Sequence, residues 1–178
     1  MKSQALNIRE MCQVGIFAAI IAVCAQLSIP MPVGVPMTLQ TIAVSLAGVV
    51  LGPKKGAVAA LVYLLLGAVG MPVFAGFQGG IGIVFGRTGG FILSFPLMAL
   101  TAGIGAVKGK GWLAFWLVIG AAVNFACGML MFGFVTGTPL APAFFLVVAP
   151  FLPISAVEII VLTMFGHRLR GLLRKNGI

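Results

Sequence analysis

Two ionisable side chains stand apart in a chain that is 61% hydrophobic and only 7% charged: Arg87, inside a glycine-rich stretch, and Glu158, inside the last apolar run. An arginine can hold a carboxylate through two parallel hydrogen bonds. An acid within a membrane segment is a functional candidate whose partner has to be found. Three arrangements stay open: a structural Arg87–Glu158 ion pair, the same pair opened by a ligand, or Arg87 anchored on lipid phosphate. Amides and hydroxyls suited to ligand contact are Gln40, Gln78, Thr88, Ser155 and Asn124, with Thr38, Thr41 and Ser94 of the same kind. Any of these except Asn124 could equally serve a turn or a helix cap. Asn124 falls in the middle of an apolar run, so it must either bond another helix or wall a pocket. Missing are a GxxxxGK[ST] loop, any aspartate, a GxSxG motif and a second histidine, so a self-energised pump or a hydrolase has little to work with.

The element that must position Arg87 is the stretch Gly70 to Gly90, GMPVFAGFQGGIGIVFGRTGG. Each glycine disfavours helix by about 1 kcal/mol, so the stretch is expected to be an irregular loop. Between the glycines it is apolar, with Phe74 among the residues that could pack on the body of a ligand. Irregular apolar backbone beside a membrane survives where protein buries it or where it lines a cavity. The loop is therefore expected to close over a small molecule, with glycines 86, 89 and 90 letting backbone approach it.

Soluble domains carry about 25% charged residues, so this composition belongs in a bilayer. All 178 residues are consumed by apolar segments and short connections, which makes one membrane domain, 1–178. The first apolar run resembles a signal peptide, but Val23 spoils a cleavage site and the run is kept as a span. The expected spans are Met11 to Ile29, Thr41 to Leu51, Gly56 to Val69, Gly90 to Val107, Trp112 to Phe134, and a sixth from Pro153 to His167, preceded by a pre-helix from Ala143. Trp112 and Trp116 suit an interfacial belt. Pro30 to Gln40 reads as an extended connection, and Thr136 to Pro142 as a short polar one. Cys12, Cys24 and Cys127 show no disulfide or metal spacing and are expected as small core residues. His167 beside the basic tail suits a helix C-terminus.

Basic residues fix the orientation. With both termini cytoplasmic, Lys2, Arg9, Lys54, Lys55, Lys108, Lys110, Arg168, Arg170, Arg174 and Lys175 all lie inside, leaving only Arg87 outside. The net charge of +9 is thus topology rather than a nucleic-acid signature. The same orientation gathers the proline-rich connection, the glycine-rich loop and the Thr136 to Pro142 connection on the outer face, where they can form one pocket. On span one, Ala18 and Ala22 form an AxxxA pair of the kind that lets helices approach closely, and they are expected to dock a partner.

The runs VPMTLQT (Val35 to Thr41), LGPKKGA (Leu51 to Ala57), YLLLGAVGMPVFAG (Tyr63 to Gly76), GRTGG (Gly86 to Gly90) and PFLP (Pro150 to Pro153) closely resemble the BioY family. The resemblance implies an all-α membrane protein of the bacterial cell membrane, with six transmembrane helices and a long outer loop between helices 3 and 4. It implies the substrate-binding S component of an energy-coupling factor transporter, one that captures biotin from outside without a cofactor. It also implies a T component, met through the span-one alanines, and two ATPase subunits that supply the energy. Arg87 matches the loop arginine of the family, where it would meet the biotin carboxylate. The resemblance departs in span six: Ser155 stands where it places an aspartate and Glu158 where it places a lysine. Glu158 could then accept the ureido N–H groups of biotin, or the pocket could serve another small acid such as lipoate. A membrane-embedded enzyme acting through Arg87 and Glu158, and a pore formed by self-association, are the readings of other classes.

Overall fold

The computed structural model describes residues 7–175, side chains at 110, 167 and 172–175 excepted. Lys2 and the side chains of Lys110, His167, Arg174 and Lys175 therefore lie outside the described residues. The chain forms α1 (Ile8–Gln26), a small hairpin of β1 (Ser28–Ile29) and β2 (Met37–Thr38), α2 (Gln40–Leu51) and α3 (Pro53–Ala68). Then follow α4 (Ile81–Val84), α5 (Gly89–Lys108), α6 (Lys110–Thr136), α7 (Leu140–Val147), a 3₁₀ turn at Ala149–Phe151 and α8 (Leu152–Lys175). The stretches Ile8–Gln26, Gly89–Lys108, Gly111–Thr136 and Leu140–Gly171 are long and apolar enough to cross a membrane. The protein is thus a largely helical, multi-pass membrane protein.

The helix breaks fall where backbone chemistry requires them. Gly52, at φ 87°, ends α2, and Pro53 opens α3 at the first position, where its missing N–H breaks no helical bond. The corner is seated on α5, because a Cβ at Gly103 would lie 2.4 Å from the Pro53 nitrogen. Helix α5 is the hub of the bundle. Of the residues in its span 56% are buried, against 22% for α1, 28% for α6 and 22% for the α7–α8 stretch, so those three form the outer side of the bundle. Exposed Ile16, Val23, Phe115, Val118 and Ile160 belong to that outer coat. Where α5 crosses its neighbours there is no room for side chains: a Cβ on Gly48 would sit 2.0 Å from the Ala99 carbonyl oxygen, and one on Gly90 2.2 Å from that of Cys127.

Several expectations are corrected. Ala18 is 3% exposed and joins Ile21, Tyr63 and Phe95 in the main core cluster, with Ala22 packed against it. Ala18 thus serves internal packing and is not open to a partner, whereas Ala22 stays half-buried. The small residues left open on α1 are Gly15 and Ala19. Cys12 is exposed, and Cys24 and Cys127 are only half-buried, so the cysteines are not core residues. The glycine-rich loop holds one helical turn, α4, in spite of Gly82 within it. Helix α8 continues through Lys175, past His167, so that residue does not end a helix. The proline-rich connection is strapped to itself by antiparallel pairs Ser28–Thr38 and Ile29–Met37. Trp112 and Trp116 do form a cluster, with the Lys108 Nζ 5.2 and 5.4 Å from their ring centroids.

Candidate functional site

The first turns of α2, α5 and α8 open onto one cavity of about 250 Å³, many times the roughly 10–15 Å³ that one water needs. Its remaining walls come from the β1–β2 connection, the glycine-rich loop and the middle of α6. Gln40, Phe74, Gln78, Arg87, Thr88, Asn124 and Ser155 all line it, together with Thr38 and Thr41. Seven of the eight residues expected to contact a ligand therefore share one space; the eighth, Glu158, does not line it. Phe91, Phe95, Phe125 and Phe151 make the body of the cavity apolar. Three helix N-termini facing one space carry partial positive charge, which favours an anionic group there.

Arg87 is the one charged residue of this wall. It is exposed, and among the described residues it makes no hydrogen bond or ion pair. Gly34, at φ 77°, lets the guanidinium cross the strap: a Cβ there would be 3.3 Å from Nη1. Glycines 89 and 90 do something other than admit a ligand. Their missing side chains make room for the Val84 and Cys127 carbonyl groups, so they are packing residues.

Glu158 does not pair with Arg87. It is buried in α8, where its Oε1 accepts a 2.7 Å hydrogen bond from the Thr41 hydroxyl. The residue before α2 is Leu39, which has no side-chain cap to offer. An acid of α8 is thus tied to a first-turn side chain of α2 at the cavity wall.

Two polar networks hold the wall, and both have a forced direction. Because the Phe91 carbonyl can only accept, the amide group of Asn124 that meets it at 3.0 Å must be Nδ2, which also donates to the Ser94 hydroxyl at 2.8 Å. Ser94 in turn donates to the same carbonyl. In the second network Tyr63 donates to the Val73 carbonyl, so Gln40 meets Tyr63 with Nε2 and receives the Thr38 hydroxyl on Oε1. Both ends of the Gln40 amide are therefore engaged in the wall.

Gln26, which the sequence reading passed over, ties the loop to α1. Its Nε2 donates to the Val73 and Phe74 carbonyls, and its Oε1 accepts the Phe77 N–H at 2.9 Å. The Phe77 backbone is at φ 55°, rare outside glycine, and these bonds hold it there. The signal available in sequence was a glutamine at the end of an apolar run, which also suits an interface residue. Gln26→Leu should raise hydrogen exchange at the Phe77 amide and weaken ligand binding by about fivefold to tenfold, the effect of one or two ordinary hydrogen bonds. Exchange unchanged at Phe77 in the variant would refute the tie.

Comparison with known proteins agrees with this architecture. A solved structure titled "Crystal structure at 2.1 A of the S-component for biotin from an ECF-type ABC transporter" superposes with a TM-score of 0.83 over 94% of this chain and 95% of that one; at 24% identity it shows the fold. A Pyrococcus horikoshii protein named "Probable biotin transporter BioY" is 38% identical, covering 93% of this chain and 99% of the relative. Biotin transporter BioY2 of Lactococcus lactis is 40% identical over 89% of each chain, and biotin transporter BioY of Thermotoga maritima 37% identical over 92% and 97%. The model of the BioY family matches residues 1–175. With that match spanning nearly the whole sequence, the chain belongs to the BioY family.

Proposed function

We propose that this protein is a biotin-binding transport subunit of the plasma membrane, and that it delivers the vitamin inward as the S component of an ATP-driven assembly with a T component and two ATPases. The observation that carries the reading is family membership over nearly the whole chain. The cavity supports it: an apolar body, polar amides and hydroxyls, and one cation suit a ligand with an apolar ring system, polar edges and a carboxylate. In this reading α1, α2, α3, α5, α6 and α8 are six spans with both termini cytoplasmic. Lys55 and Glu10, 3.0 Å apart, bring the start of α3 beside the start of α1, in keeping with basic residues collecting on one side. Arg87, Thr88, Gln78, Asn124, Ser155, Phe74 and Gln40 form the outward-facing site, and Glu158 acts on it through Thr41.

Cells expressing the chain with an energising module should accumulate radiolabelled biotin, whereas the chain alone should bind without accumulation. Absence of accumulation with the module present and assembled would overturn the transport reading. The location of the partner contact separates two sets of variants. Gly15→Leu or Ala19→Leu, on the open side of α1, should leave biotin binding within about twofold and stop uptake, since a bulky side chain there blocks close helix approach. Ala18→Leu, inside the core, should instead lower the detergent melting temperature, because overpacking costs about 1–3 kcal/mol.

A further inference from the structure

We propose that Thr41 and Asn124 present two fixed hydrogen-bond acceptors to the cavity, and that these two atoms select a ligand bearing N–H donors, the cyclic urea edge, over an equally sized acid without them. The assignment rests on biotin being the ligand and concerns how the site recognises it. Its basis is the direction of the networks. The Thr41 hydroxyl gives its proton to Glu158 at 2.7 Å, so toward the cavity it lines it has only lone pairs to offer. Glu158 is buried and does not line the cavity, so its carboxyl group reaches the site only through that hydroxyl.

Asn124 is constrained in the same sense from the other side. Its Nδ2 is spent on the Phe91 carbonyl and the Ser94 hydroxyl. A flipped amide would set two oxygens against each other at Phe91, so Oδ1 is the free atom, and among the described residues no donor reaches it. Asn124 itself is 2% exposed and lines the cavity. A ligand that buries these acceptors without donating to them leaves both unsatisfied. One that donates to both is selected by that difference. Glu158 is a positioning residue here, acting only through Thr41.

The test is a titration of the purified full chain in detergent with three probes: biotin, desthiobiotin, which keeps both ureido N–H groups, and lipoate, which has none. Wild type should favour the first two over lipoate by at least about 100-fold. Thr41→Val, nearly the same shape without the acceptor, should weaken biotin and desthiobiotin by about tenfold and leave lipoate unchanged or tighter. Glu158→Leu, which frees the Thr41 hydroxyl to donate, should narrow the preference for biotin over lipoate by about tenfold, and Glu158→Gln, which can still accept the Thr41 proton, should restore most of it; a preference untouched by Glu158→Leu counts against the assignment. Melting temperatures of each variant establish that it is folded. Equal weakening of all three probes by Thr41→Val, or no change in any, overturns the assignment. Failure of the biotin reading gives a different result, visible before any variant is made: wild type binding neither biotin nor desthiobiotin, which also removes this proposal.

Discussion

Arg87→Ala should weaken biotin binding by about 10- to 150-fold, the roughly 1.5–3 kcal/mol of a charge-assisted hydrogen bond. The reason is the isolation of the guanidinium. It is the one charge on the cavity wall, and among the described residues no carboxylate competes for it, because Glu158 is occupied with Thr41. Exposure of Arg87 screens the interaction and puts the effect toward the lower end of that range. Arg87→Lys should recover part of the loss, since it keeps the charge and gives up the two-pronged geometry. The esterified vitamin, lacking a carboxylate, should bind wild type and Arg87→Ala alike. Calorimetry with acid and ester against both proteins checks this, and an Arg87→Ala variant that binds the acid normally would remove Arg87 from the site.

The second large effect concerns the scaffold. Gly90→Val should abolish recovery of folded protein, or lower its melting temperature by 10 °C or more, because the new Cβ would lie 2.2 Å from the Cys127 carbonyl oxygen and 2.8 Å from the Met131 Cβ. Neither neighbour can yield without moving α6 away from α5, and overpacking of a rigid contact costs on the order of 1–3 kcal/mol or more. Gly82→Ala in the same loop should be tolerated, since a Cβ there meets nothing within 4 Å. Thermal unfolding in detergent distinguishes the two. A stable Gly90→Val protein would show that α5 and α6 are not packed this way.

The sequence made the helices legible because apolar runs bounded by Gly52–Pro53, Lys108 and Pro153 leave few alternatives in a bilayer. Seven of the residues it singled out line one cavity, most of them polar side chains near the ends of apolar segments, which have few other places to go. The phase of α1 was a different matter. In a soluble helix the buried stripe contrasts with a polar face, but lipid and core both accept apolar residues. The alanines at 18 and 22 and the small residues at 15 and 19 therefore look alike until the buried stripe Val14, Ala18, Ile21 and Ala25 is seen.

Long-range pairing was hidden for another reason. Glu158 and Arg87 were natural partners on charge alone, yet a helix N-terminus also satisfies a carboxylate. Only the fold brings Thr41, in the first turn of α2, to it. Gln26 was likewise invisible, because its partners are backbone groups of the loop, and backbone groups carry no sequence signature.

Calorimetric titration of the purified wild-type chain with biotin and, separately, with lipoate tests the central claim most directly. Saturable, tight binding of biotin with lipoate far weaker is the predicted result. Lipoate bound tightly by a folded protein that ignores biotin would contradict it.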